Sequence, residues 1–292
     1  MQCPNCRAEI NDSAAFCRYC GAELKKPDAA SSASGTTTRA YQPVQREKAQ
    51  EAVKTAQLAS NAGFALGRAA RQARIETVVD DDEVVSPRVY NCVIIGVLLW
   101  GLVVNYVLCS MLSKTILDIS PTVILIGYLA LAIPGTIISA KSSNPWISFL
   151  GYNMVVVPFG LVISYVVEAL GGMDSQVVTY AFMYTMLIAV GMFACYLIAP
   201  DFFSKLGGAL LALLGGLLLC EVVLLIFRVD QVVTDWVAAG LFSLYIGYDL
   251  YRSQKYPKTL DNAVDSALDI YLDIANLFIR LLRIIAAAKR DD

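Results

Sequence analysis

After Pro87 the chain turns into a succession of seven apolar stretches, at about residues 90–112, 120–140, 146–170, 175–198, 203–227, 232–253 and 263–287, joined by short polar connections. Each is long enough, as a helix, to cross a hydrocarbon core of about 30 Å. Lipid offers the backbone no hydrogen-bond partners, so helices are the form such stretches must take. The expected fold is an all-α membrane protein with a seven-transmembrane-helix bundle. Composition supports it: 57% of residues are hydrophobic and 16% charged, against about half and a quarter in soluble domains. Gly207, Gly208, Gly215 and Gly216 are expected to let helices approach closely rather than to cradle a phosphate. Cys92, Cys109, Cys195 and Cys220 lack ligand spacing and are expected as small buried apolar residues.

The chain contains no histidine, which removes mechanisms that need an imidazole base or ligand, serine intramembrane proteolysis among them. A formal net charge of -2 supplies no long-range field toward nucleic acid.

Before Pro87 the chain is polar. Residues 3–20 read CPNCRAEINDSAAFCRYC, two C-x-x-C pairs followed by Gly21. Cys3, Cys6, Cys17 and Cys20 can form a tetrahedral thiolate site suited to structural zinc, with two disulfides or a rubredoxin-like iron as the alternatives. The segment resembles the short zinc-ribbon modules at the N-termini of many prokaryotic membrane and regulatory proteins. Arg7, Arg18, Lys25 and Lys26 are few for phosphate contacts, so a protein partner is expected of the ribbon, and no nucleic acid. Residues 25–45 are a Ser/Thr/Ala/Pro-rich disordered linker. An Ala-rich, helix-favouring stretch runs from Arg46 to Glu76, a candidate amphipathic helix, and Asp80, Asp81, Asp82 and Glu83 read as a solvated spacer. The domain expectation is thus 1–24 zinc ribbon, 25–87 linker, and 88–292 membrane domain.

No apolar leader follows Met1, so the N-terminus is expected in the cytosol. Lys141, Lys205, Arg252, Lys255 and Lys258 fall on the same side as the tail, against Lys114, Arg228, Lys289 and Arg290 on the other. This bias also favours a cytosolic N-terminus. Seven crossings then put the C-terminus outside. The lipid bilayer is the expected surrounding, a prokaryotic plasma membrane first and endoplasmic reticulum or Golgi as the eukaryotic alternative.

The last apolar stretch carries Asp269, Asp273, Asn276, Arg280 and Arg283, spaced by four, three, four and three, hence on one helical face. Charge in hydrocarbon costs at least about 2.5 kcal/mol per group, so this stripe must face the bundle interior or a water-filled cavity. Asp249, near the end of the sixth stretch, can meet Asp273 at similar depth across the short connection from Arg252 to Asn262. Two carboxylates at hydrogen-bond distance cannot both ionise cheaply, so one would keep a proton. The alternative is structural: Asp249 caps its helix near Arg252, and Asp273 pairs with an arginine. Glu221 is a further intramembrane carboxylate whose partner the sequence does not reveal.

The stretches SLYIGYDLYRSQ at 243–254 and SALDIYLDIANLFIRLLRI at 266–284 resemble the Bax inhibitor-1 family, seven-helix membrane proteins of the TMBIM type, over about residues 88–287. The resemblance implies a diaspartyl pH sensor formed by Asp249 and Asp273 and a pH-sensitive, calcium-permeable leak channel. It also implies a basic residue at the cytosolic end of the second helix linked to the sensor. Lys141 is the candidate by position, a lysine where a bacterial member has arginine and so unable to make a bidentate lock. Asp269 adds a charge one turn from Asp273, a further departure.

The leading expectation is therefore a proton-gated calcium leak, not an enzyme. A non-transporting regulator that binds a partner such as a membrane protease is the alternative. An intramembrane aspartyl protease is disfavoured because Leu272 precedes Asp273 where a glycine pair would be needed, and because no P-A-L sequence occurs.

Overall fold

A computed structural model describes residues 83–112, 115–227, 229 and 231–291, together with Lys54, Leu58 and Asn61. The four ribbon cysteines, the linker and most of the Arg46–Glu76 stretch lie outside the described residues. Eight α-helices occur among the described residues: α1 Pro87–Leu112, α2 Pro121–Lys141, α3 Pro145–Ala169, α4 Gln176–Ile198, the short α5 Pro200–Ser204, α6 Gly207–Ile226, α7 Val232–Ser253 and α8 Leu260–Asp291.

The helix starts follow from local chemistry. Proline opens α1, α2, α3 and α5, where its missing N–H costs nothing. Asn144 accepts a hydrogen bond from Trp146 N to cap α3, and Ser175 does the same for α4 from Val178 N. Gly171 and Gly172, at φ of 127° and 80°, turn the chain between α3 and α4. Side chains rarely adopt those angles.

Seven long helices match the seven apolar stretches, with one difference. The expected span at 203–227 is divided, because Phe203 is buried where a Cβ on Gly247 would collide with its ring. The Pro200–Ser204 turn therefore packs on α7, and the apolar helix restarts at Gly207. Five helices (α1, α2, α3, α4 and α6) are long and apolar enough to cross a membrane by length and composition. The remaining two, α7 and α8, are of spanning length at 22 and 32 residues but carry more charge.

The bundle explains how that charge is tolerated. Helix α8 packs against α1, α3, α4 and α7, and nearly every residue from Asp261 to Leu282 is buried. The most polar helix is thus the central one, and the apolar helices surround it. Their outward faces expose Ile95, Leu99 and Val103 on α1, Phe182, Leu187 and Val190 on α4, and Leu213, Leu219 and Val223 on α6. Such a surface belongs in a bilayer, and the protein is a multi-pass membrane protein.

Two smaller expectations are corrected. Of the membrane cysteines only Cys109 is buried, while Cys92, Cys195 and Cys220 are exposed; an outward face that meets hydrocarbon accepts a thiol as readily as the core does. Gly208, Gly215 and Gly216 face open space, and only Gly207 meets a neighbour, the Tyr248 ring. The close helix approach lies elsewhere: a Cβ on Gly135 would stand 2.9 Å from Gly151 O, and one on Gly151 would stand 2.6 Å from Gly135 O. Those two glycines bring α2 and α3 together.

Candidate functional site in the central charged helix

Helix α8 begins at Leu260, three residues before the expected stretch, and this brings Asp261 into the helix with Asp265. With Asp269 and Asp273 they recur every fourth residue, a slowly turning column of carboxylates. All four are buried, Asp273 completely, as is Asp249 on the antiparallel neighbour α7. Asp249 and Asp273 belong to adjacent helices joined by the connection Gln254–Thr259.

Three helices supply partners to the column, and a fourth, α1, packs beside it. Arg252 Nη2 donates to Asp269 Oδ2 at 2.8 Å. Ser139, near the end of α2, donates to Asp265, and Ser148, in the first turn of α3, donates to Asp261. Tyr90 of α1 is wholly buried: its hydroxyl donates to Ser253 O at 2.9 Å and lies 3.1 Å from Ser266 Oγ. Val85 N donates to Lys258 O at 2.8 Å, so the start of α1 is tied to the α7–α8 connection. Lys258 stacks its ammonium 4.5 Å from the centre of the Tyr90 ring. Partial burial, and then nearby Lys255, hold it below the ordinary lysine value.

The structural alternative for the sensor aspartates placed Arg252 beside Asp249 and an arginine beside Asp273. Arg252 pairs with Asp269, and Arg280 and Arg283 pair with Glu221 and Asp235 farther along α8. Lys141 is exposed in the last turn of α2, whereas Ser139, two residues earlier, is fully buried. Asn276 turns its amide back on its own helix, donating to Leu272 O at 2.8 Å.

Charge is unevenly distributed along the bundle. Among the described residues, five buried aspartates (Asp249, Asp261, Asp265, Asp269 and Asp273) at the Asp249 end accompany one buried arginine, Arg252. At the other end the charges balance. Arg280 Nη1 lies 2.5 Å from Glu221 Oε1 and 2.8 Å from Asp235 Oδ1, and Arg283 Nη1 lies 3.1 Å from Asp235 Oδ1. This supplies the partner of Glu221. Asp235, which opens α7, was not singled out by the sequence because it reads as an ordinary first-turn acid. No group of three or more Cys, Asp or Glu side chains with metal-binding geometry occurs among the described residues.

The sequence model of the family described as "Inhibitor of apoptosis-promoting Bax1" matches residues 83–291, and that of the zinc-ribbon domain matches residues 2–24. Two proteins from strains of Helicobacter pylori, each described as an uncharacterized protein, are 46% identical over 55 residues. That stretch is 19% of this chain, and the chain spans only 23% of the length of those relatives in the match.

Proposed function

The chain belongs to the Bax inhibitor-1 family, with a zinc-ribbon domain on its N-terminal side, and on that premise we propose that its membrane domain is a pH-sensitive leak pathway for calcium. The observation that carries the reading is that, among the described residues, buried carboxyl groups outnumber buried cations at the Asp249 end of the bundle. Buried aspartates without enough arginine need protons or mobile cations to compensate them. Protons and a divalent cation then compete for the same oxygens. When Asp249 and Asp273 are deprotonated they bind the cation and the pathway conducts; protonation removes the binding charge and closes it. Lys141, at the end of α2, is the basic residue proposed to bias this equilibrium, and Asp269, held by Arg252, is the neighbour that tunes it. The Asp249 end is proposed to face the cytosol, with the C-terminus outside.

The test is calcium flux into liposomes carrying the purified full chain, from about pH 6 to about pH 8, for wild type, Asp249→Asn and Asp273→Asn. The expected result is a flux that rises with pH in wild type and loses that dependence in both variants. Absence of flux at every pH overturns the reading.

The zinc-ribbon domain favours a second reading, a regulator that recruits a protein partner through the ribbon, with zinc held by Cys3, Cys6, Cys17 and Cys20. Deletion of residues 1–24 that leaves flux intact but abolishes the cellular phenotype would favour it.

A further inference from the structure

At the Glu221 end of the bundle, one nitrogen of a buried guanidinium makes its ion pairs among the described residues. Arg280 Nη1 stands between Glu221 Oε1 of α6 and Asp235 Oδ1 of α7, at 2.5 and 2.8 Å. Its Nε and Nη2 are buried with no hydrogen-bond partner among the described residues. A guanidinium gripping a carboxylate with both prongs is held in orientation as well as by charge. Held through a single nitrogen, it sits where a point cation would sit.

A second observation comes from outside the family match. Asn61 is wholly buried, and its Nδ2 donates to Glu221 Oε2 at 3.3 Å. Its Oδ1 is buried with no hydrogen-bond partner among the described residues. Gln231 completes the surroundings: its Nε2 donates to Glu221 O at 3.4 Å, and its Oε1 accepts from Arg283 Nη2 at 3.4 Å. Two carboxylates, and an amide oxygen that a turn of the Asn61 side chain would present in place of its Nδ2, are the hard donors that calcium prefers. Asp273, Asn276 and Arg280 share one face of α8, which leads from the aspartate column to this cluster.

We propose that Glu221 and Asp235, with Asn61 as a neutral oxygen donor, form a second divalent-cation site that Arg280 fills as a tethered cation. An ion travelling along α8 displaces the guanidinium in order to leave. This role in flux rests on the calcium-leak reading; the binding site itself does not. Arg283 stays on Asp235 and Gln231, so displacement of Arg280 does not strip the cluster of all its positive charge. Because Asn61 precedes the family match at 83–291, the site includes a residue that the family domain does not supply.

The test is manganese binding to the purified full chain in detergent, read from the paramagnetic resonance of free ion, with calcium as competitor. Manganese shares the preference for oxygen ligands. Arg280→Gln is expected to bind one more ion per chain than wild type, or the same ion at least about tenfold tighter. The gain is expected to vanish in the charge-neutral double variant Glu221→Gln/Arg280→Gln and to shrink in Asn61→Ala/Arg280→Gln. Equal binding by wild type and Arg280→Gln overturns the proposal, as does a gain that survives in the Glu221 double variant. Should Arg280→Gln not yield monodisperse protein, Arg280→Lys is read in the same assay, with a smaller gain expected and no gain overturning the proposal. A binding gain in a protein whose wild type shows no flux at any pH would overturn the leak reading and leave the site standing.

Discussion

Arg252 and Asp269 form an ion pair across the α7–α8 interface at 2.8 Å, with side chains only 5% and 2% exposed. The pair joins the last turn of α7 to the third turn of α8. Removing one partner leaves a buried charge without compensation, which costs about 3–5 kcal/mol, whereas replacing both by apolar residues of similar volume is often neutral. Arg252→Met should therefore lower the unfolding temperature of the detergent-solubilised protein strongly. Arg252→Met with Asp269→Leu should recover most of the loss. An undiminished loss in the double variant would mean that Arg252 serves other carboxylates of the column as well.

Helix α2 reaches the same column through a neutral residue. Ser139 donates to Asp265 while Lys141, two positions later, is exposed. A hydrogen bond to a buried charged group is worth about 1.5–3 kcal/mol, and an exposed substitution usually stays within about 0.5 kcal/mol. Ser139→Ala, and likewise Ser148→Ala at Asp261, should destabilise the fold clearly, and Lys141→Ala should not. Thermal unfolding of the three variants side by side decides it. If Lys141→Ala changed flux without changing stability, Lys141 would act on the gate and Ser139 on the scaffold.

These contacts mark where sequence reasoning reaches and where it stops. The seven long helices were legible because apolar length alone dictates them, and the charged face of α8 was legible because spacing by three and four leaves few alternatives. The same rule could have found Asp261 and Asp265, which continue the four-residue repeat below Asp269. Asp261 fell in the expected connection because the helix start was placed too late, whereas Asp265 already lay inside the expected stretch. Which arginine answers which acid was not legible. Arg252 could serve Asp249 or Asp269 at similar cost in sequence, and only the rotation of α7 against α8 decides. The pairing of Glu221 with Arg280 joins residues from distant stretches, for which spacing along one helix carries no information. The glycines misled for a related reason: a run of small residues says that a close approach is allowed, not that a neighbour is present.

The contrast between glycines is itself measurable. A methyl group on Gly135 or Gly151 would meet the opposing backbone carbonyl at 2.9 or 2.6 Å, and backbone cannot step aside as a flexible side chain can. Gly135→Ala and Gly151→Ala should force α2 and α3 apart and cost about 1–3 kcal/mol. Gly208→Ala and Gly216→Ala place their methyl groups in open space and should gain up to about 1 kcal/mol of helix propensity. Unfolding temperatures moving in opposite directions for the two pairs would bear this out. Equal losses in all four would mean that a partner or a second copy covers the α6 face.

The zinc-ribbon domain gives a prediction that does not depend on the membrane domain. Its four cysteines come as two C-x-x-C pairs, whereas Cys92, Cys109, Cys195 and Cys220 are scattered over three exposed positions and one buried one. A thiolate site needs its ligands within about 2.3 Å of the metal, a condition that close pairs can meet. Purified protein should carry about one zinc ion per chain by elemental analysis. Cys3→Ser with Cys6→Ser should abolish it, while serine at all four membrane positions should leave it unchanged. A zinc-selective chelator should not shift the unfolding of the membrane domain, because burial of apolar surface around α8 holds that fold. A shift on removal of zinc would instead mean that the ribbon and the bundle unfold in a coupled way.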